Sequence, residues 1–378
     1  MPRKAKVPPP SRASITIPSD IDISSDDDVE AVSIAMKATP VKKRRVAGKQ
    51  MQYSPEDLFA GAAGLAMAAN MCGVPEAMLY RLLCCGLPPL MFHLLKAIKY
   101  RRGFALTETL DFVEWFAGSQ CVSAYLGDVL DGVSVDCLYD PIYGNIMTYE
   151  GFVHAVVLVL RLRGCAALQF FGTVCSSWVW IVRSCTKRSV DNPLGDRSNA
   201  FTEHGNVMVS RCCLLKLLGW AKGCSFMLEQ PSSTLMPHHP RIEQVIAVTG
   251  AQLVATCMGA FGGGTKKRTL LLTDVPWASK MHRSGAGVHG GGEKLAEVDE
   301  LGRVTGKRSA LKNSQAYPAG FGRELASQHV KHMQDVGGFV PYGEIKKVCK
   351  PDAWPDAELE EIARSIGVPS GIAVYPWQ

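Results

Sequence analysis

From residue 110 onward, short apolar runs of strand length alternate with longer runs of helical length, and this alternation limits the fold more than any other feature of the chain. LDFVEWFAG (110–118), VSVDCLYD (133–140), CAALQFFG (165–172), CSFMLEQP (224–231) and RTLLLTDVPW (268–277) read as strands. GFVHAVVLVLRLRG (151–164), VMVSRCCLLKLLGWAKG (207–223) and RIEQVIAVTGA (241–251) read as helices between them. Strands joined through helices run parallel, because a right-handed crossover packs each helix back onto the sheet. The expected fold class is α/β, a doubly wound, mostly parallel sheet with helices on both faces. Ligands of such sheets bind beyond the carboxyl ends of the strands, so the residues just after each strand are the ones to search for chemistry.

The flanking regions differ in composition. Residues 1–50 hold ten Lys/Arg, six Asp/Glu and six prolines, which predicts a disordered tail. Its basic block KKRR (42–45) reads as a nuclear import signal, a phosphate-contacting arm or a solvated linker. Residues 51–104 predict a helical cap, starting near Ser54 and broken at Gly73-Val-Pro75 and Gly86-Leu-Pro-Pro89. The sheet domain is placed at 105–335, and 336–378 forms an extension with one amphipathic helix at 355–368. Within the sheet domain, the glycine-rich stretch 281–312 predicts a mobile loop, and ELASQHVKHM (324–333) a helix that docks back on the sheet.

Charge and cysteine content narrow the function classes. Positions 51–378 carry 31 basic against 29 acidic residues, so the folded body has no overall cationic field and any nucleic-acid surface must be local. The thirteen cysteines are odd in number and include no CxxC pair, which points to reduced thiols in an intracellular compartment. No metal site is expected, since the pair His238-His239 lacks a third ligand. The uncharged run 58–75 is too short and too rich in Ala and Gly for a membrane span.

Four strand ends carry candidate chemistry. Glu114 and then the glycine turn at Gly118 would let backbone amides approach a cofactor, with Gly118 serving equally as a plain turn residue. Asp136 and Asp140 follow the second strand, where an acid accepts hydrogen bonds from ribose hydroxyls or is a solvated loop acid. Cys175 follows the third strand, and a helix beginning at Ser176 or Ser177 would favour its thiolate. Glu229 ends the strand SFMLE on the same edge of the sheet, so a thiol and a carboxylate could act on one substrate ring.

In this order, these residues resemble the cytosine-C5 methyltransferase family of the S-adenosylmethionine-dependent Rossmann-like superfamily. EWFAG (114–118) looks like that family's cofactor turn, GTVCSSW (172–178) like its nucleophile loop, LEQP (228–231) like its Glu-Asn-Val segment and FGGGTKKRTLLL (261–272) like its later basic strand. CSSW (175–178), EQP (229–231) and MGAFGG (258–263) also resemble a group of algal proteins with the same three patterns. The resemblance spans about 110–280 and implies a Rossmann-like methyltransferase sheet with S-adenosylmethionine as cofactor. It implies that Cys175 adds to C6 of cytosine in DNA or RNA while Glu229 hydrogen-bonds the ring at N3. Glu114, Phe116 and Gly118 would line the methionine side of the cofactor, Asp136 would meet its ribose, and Lys266, Lys267 and Arg268 would meet phosphate. The chain departs from the family pattern at Val174, Gln120 and Gln230, and at Thr265 to Thr269. Two other functions stay open: an inactive binding protein on the same fold, and a methyltransferase for a non-nucleic substrate with Cys175 structural.

Overall fold

The computed structural model describes residues 62–100, 106–164, 166–285, 296–298, 304–306, 314–337, 342–349 and 364. The tail, the start near Ser54 and the amphipathic segment 355–368, but for residue 364, lie outside the described residues. Three helices come first, α1 (Ala62–Cys72), α2 (Glu76–Cys84) and α3 (Pro89–Tyr100), and they break at the two Gly/Pro sites. Gly73 and Gly86 sit there with positive φ (70° and 69°), and proline follows each within three residues.

The main sheet uses β1 (Phe112–Trp115), β2 (Gly132–Val135), β3 (Leu168–Phe171), β4 (Ser225–Pro231), β5 (Gln252–Cys257) and β6 (Arg268–Thr273). They stand in the order β2-β1-β3-β4-β6-β5. β1 pairs parallel with β2 and β3, and β3 with β4, whereas β6 runs antiparallel to both β4 and β5. The fold is thus α/β with a six-stranded, mostly parallel sheet, and β6 is its single reversed strand.

The connecting helices are α4 (Cys121–Leu126), α5 (Tyr149–Arg161), α6 (Arg183–Thr186), α7 (Ala200–Ala221) and α8 (Pro240–Thr249). Local signals start two of them. The Thr148 hydroxyl accepts the Gly151 amide at the head of α5, and the Asn199 side chain accepts those of Phe201 and Thr202 at the head of α7. From β1 the chain crosses through α4 to β2, then returns past β1 through α5 to β3. Keeping both crossovers right-handed puts these helices on opposite faces. Their apolar residues accordingly fall into two clusters, Val122 and Leu126 in one, Phe152 and Val156 in the other. The helices α7 and α8 and the cap join the α5 side, so the cap shares the core of the sheet domain. The last helix, α9 (Ala319–Asp335), covers the α4 side with Phe321 and Leu325. Because the chain leaves β1 in both directions, the ligand crevice of this sheet class lies past the carboxyl ends of β1 and β3.

Three segments differ from expectation. Residues 252–257 form β5, a strand that the sequence pattern did not announce, since its inward and outward positions do not alternate cleanly. The stretch expected to be a mobile loop contains an antiparallel pair, β7 (Ala296–Val298) with β8 (Val304–Gly306). α9 also begins five residues before the expected start at 324.

Arg81 ties the cap to the rest. Its guanidinium lies 3.7 Å from the Trp220 ring centroid and donates to the Gly343 carbonyl (2.6 Å) and the Trp220 carbonyl (3.1 Å). The segment 342–349 is fixed in turn by the Lys346 amide on the Val248 carbonyl (3.0 Å) and the Cys349 amide on the Cys84 carbonyl (2.8 Å).

His329 on α9 is 1% exposed against the Trp277 ring, and neither of its ring nitrogens has a hydrogen-bond partner. Burial first, then His332, pushes its pKa down to about 3. The unfolded chain therefore takes up a proton near pH 6.5 that the folded chain refuses, so stability present above that pH is lost as pH falls toward about 3. Urea unfolding at pH 7 and pH 5 should show the wild type losing roughly 2 kcal/mol more over this interval than His329→Leu.

Candidate active site

The β1 turn is built from left-handed backbone. Phe116 (φ 57°), Gly118 (φ 49°) and Gln120 (φ 56°) all have positive φ, so Gln120 keeps a glycine-like conformation despite its side chain. Such residues cost on the order of 1 kcal/mol each when they are not glycine. Two buried acids hold the turn. Glu114 accepts the amides of Val122 (3.3 Å) and Ser123 (2.6 Å), and burial pushes its pKa up against the pull of these bonds. Asp136 accepts the amides of Gly118 (2.9 Å) and Leu138 (2.8 Å). Tyr139 closes the frame by donating its hydroxyl to the Gly118 carbonyl. Phe116 is half-buried against the cluster under α5. Asp140 accepts the amides of Ile142 and Tyr143 and is a loop acid.

The structure corrects one expectation about Cys175. No helix starts at Ser176 or Ser177; the chain turns there, with the amides of Trp178 (2.8 Å) and Val179 (3.2 Å) both donating to the Cys175 carbonyl. A 3-10 turn (Trp180–Val182) and the four-residue α6 follow. The amides of Trp178 and Val179 are thus taken by the Cys175 carbonyl. Burial first and the Glu229 charge second push the Cys175 thiol up, while Lys267 pulls it down. The resting sulfur is a thiol.

Cys175 lies within electrostatic reach of Glu229 and Lys267. Glu229, 5% exposed on β4, accepts a hydrogen bond from the Tyr317 hydroxyl at Oε2 (3.0 Å), and its Oε1 lies 3.3 Å from Lys267 Nζ. Gln230 ties the two loops together, donating its Nε2 to the Thr173 carbonyl (2.6 Å) while its Oε1 accepts the Thr234 hydroxyl (3.3 Å). Of the three basic residues predicted to meet phosphate, Lys267 points into this cluster with its side chain 14% exposed. Lys266 is exposed and Arg268 half-buried at the start of β6. His239 is buried edge-on against Trp178, and no group of metal-ligating residues occurs among the described residues.

Arg188 carries no motif, yet it holds the loop that follows Cys175. It is 2% exposed, stacks over Trp178 at 3.5 Å and donates to the carbonyls of Ser177 (2.9 Å), Pro193 (2.6 Å) and Thr202 (2.9 Å) and to Asn206 Oδ1 (2.7 Å). Burial lowers its pKa to about 10, still well above neutrality, so the stacked group is a cation. A lone Arg in a polar loop gives no sequence signal for this role, and neither does Tyr317 ahead of α9.

No protein-family model, curated protein or solved structure matches the chain. Among the described residues no helix is long and apolar enough to cross a membrane.

Two variants test the cluster. Arg188→Met should lower folding stability by about 3 kcal/mol in urea titrations, because it leaves several buried carbonyls without donors. Lys267→Met removes the cation that lowers the Cys175 pKa, so the pH profile for Cys175 alkylation should move upward and the rate at pH 8 should fall several-fold.

Proposed function

We propose that the chain is an S-adenosylmethionine-dependent methyltransferase with a Rossmann-like sheet, acting on cytosine C5 in nucleic acid through Cys175. The observation that carries this reading is the Glu229–Lys267 pair near the end of β4 and before β6, within electrostatic reach of Cys175 past β3. A nucleophile, a hydrogen-bonding acid and a cation gathered there suit addition of sulfur to an electron-poor ring. The cofactor fits the opposite side of the crevice on charge grounds. Glu114 and Asp136 set a negative potential around the 116–118 turn, which favours a sulfonium and an ammonium group.

In this reading the cytosine leaves its stack to reach the sulfur. Cys175 passes its proton to Glu229 and its sulfur bonds to C6, pushing electron density toward N3. The protonated Glu229 donates to N3 as that charge develops, and Lys267 stabilises the anionic group. The bound cofactor supplies the electrophilic methyl group for C5. Loss of the C5 proton to water then breaks the C6–S bond, and the Cys175 thiolate recovers the proton held at N3 through Glu229. Lys266 and Arg268, on the rim beside Lys267, would meet phosphate.

A second reading, an inactive protein that keeps the pocket for binding alone, draws on the raised thiol pKa and on the Tyr317 contact with Glu229. Trapping separates the two. DNA or RNA containing 5-fluorocytosine, incubated with the protein and S-adenosylmethionine, should give a covalent complex that survives denaturation, and Cys175→Ser should abolish it. An adduct that persists in the variant rejects Cys175 as nucleophile. Calorimetric titration with S-adenosylmethionine that shows no binding to the folded chain rejects the methyltransferase reading.

A further inference from the structure

Tyr317 lies in the crevice that ligands of this sheet class use. Its ring meets Phe170 edge-on with centroids 5.6 Å apart and leans on Phe321 at 5.3 Å. Lys267 Nζ is 5.5 Å from the ring centroid. Its hydroxyl reaches Glu229 Oε2 at 3.0 Å and stands over Gly172, where an added Cβ would come within 2.9 Å of it. That same Cβ would sit 3.2 Å from the Phe116 carbonyl oxygen. Gly172 is the first residue past β3 and Phe116 the first past β1, so the phenol fills the room between the two strand ends. Burial first, then Glu229, Glu114 and Cys175, holds the hydroxyl protonated, so it acts as a donor.

A phenol in this place is a flat six-membered ring with one hydrogen-bond donor aimed at Glu229. A pyrimidine presenting an N–H to the same carboxylate has nearly the same outline and makes the same bond. We propose that Tyr317 is a tethered occupant of the site, which closes the crevice over Cys175 and Glu229 and withdraws when a flat ring bearing an N–H donor takes its place. An incoming ring restores the bond to Glu229 that Tyr317 gives up, so the exchange leaves the buried carboxylate satisfied throughout. The plug stands on the contacts alone. Naming the incoming ring as cytosine rests on the function proposed above.

Site-resolved mass spectrometry of iodoacetamide labelling tests the plug on the full-length chain, with neither cofactor nor nucleic acid added. Exposed Cys185 and buried Cys213 serve as references. In Tyr317→Ala, Cys175 should label on the order of tenfold faster relative to Cys185, because steric access to the sulfur increases, and millimolar p-cresol should return the rate toward wild type by refilling the space. Tyr317→Leu should show a smaller rise, about threefold, since leucine fills part of the space. Unchanged labelling in both variants, or a rise in the alanine variant that p-cresol does not reverse, overturns the proposal. Should Cys213 also label in the alanine variant, the core has loosened and the leucine variant decides: a rise supports the plug and no rise overturns it. A p-cresol-reversible rise in a chain that binds no S-adenosylmethionine keeps the plug and removes the methyltransferase. Trapping of fluorocytosine with no rise removes the plug alone.

Discussion

A carboxylate taken out of water needs charge or donors to meet it, and the architecture around Glu229 supplies both. Its cation comes from Lys267, one residue before β6. β6 pairs with β4 antiparallel, with Pro231 opposite Thr269, so the residues entering β6 stand beside those leaving β4. A parallel β6 would carry Lys267 to the far edge of the sheet. Its donor, Tyr317, comes from the approach to α9. One acid thus links β4, the reversed strand and the covering helix, and it does so at the end of the sheet where chemistry is expected.

The second frame, around the β1 turn, works by a different means. Glu114 and Asp136 reach backbone amides rather than a cation, and each carboxylate bonds two of them. The bonds fix a run of left-handed residues that would otherwise relax. The turn between β1 and α4 is accordingly held from both sides, by an acid of its own strand and by one from the neighbouring strand. Charge at this end of the sheet is uneven as a result: acid-rich at the β1 and β2 ends, cation-bearing near β4 and β6.

Much of this was legible in the residues. Alternating strand-length and helix-length runs gave the layer order, and Gly73, Pro75, Gly86 and Pro89 gave the breaks between cap helices, because steric rules for Gly and Pro act locally. The placing of Cys175 and Glu229 at one edge of the sheet was also readable, since Cys175 follows β3 and Glu229 stands near the end of its parallel neighbour β4. Strand direction was not. RTLLLT has no mark of running backwards, and β5 lacks the inward-outward alternation that would have revealed it. The expected helix start after Cys175 failed because Ser176 and Ser177 suit turns as well as caps, and the buried Arg188 beneath them selects the turn. Lys267 reads as one of a basic run on the page, whereas its partner 38 positions earlier in the numbering turns it inward.

The Arg81 clamp has a bearing on how the chain acquires its shape. The guanidinium reaches the Gly343 carbonyl across 262 positions, and the Trp220 ring lies against both. During synthesis α2 emerges early, and its final lock arrives only when residues 342–349 leave the ribosome. Until then the buried face of the cap lacks its closing segment. Completion of the cap therefore waits on the segment 342–349, and a chain halted before it leaves an open, sticky face for chaperones to shield.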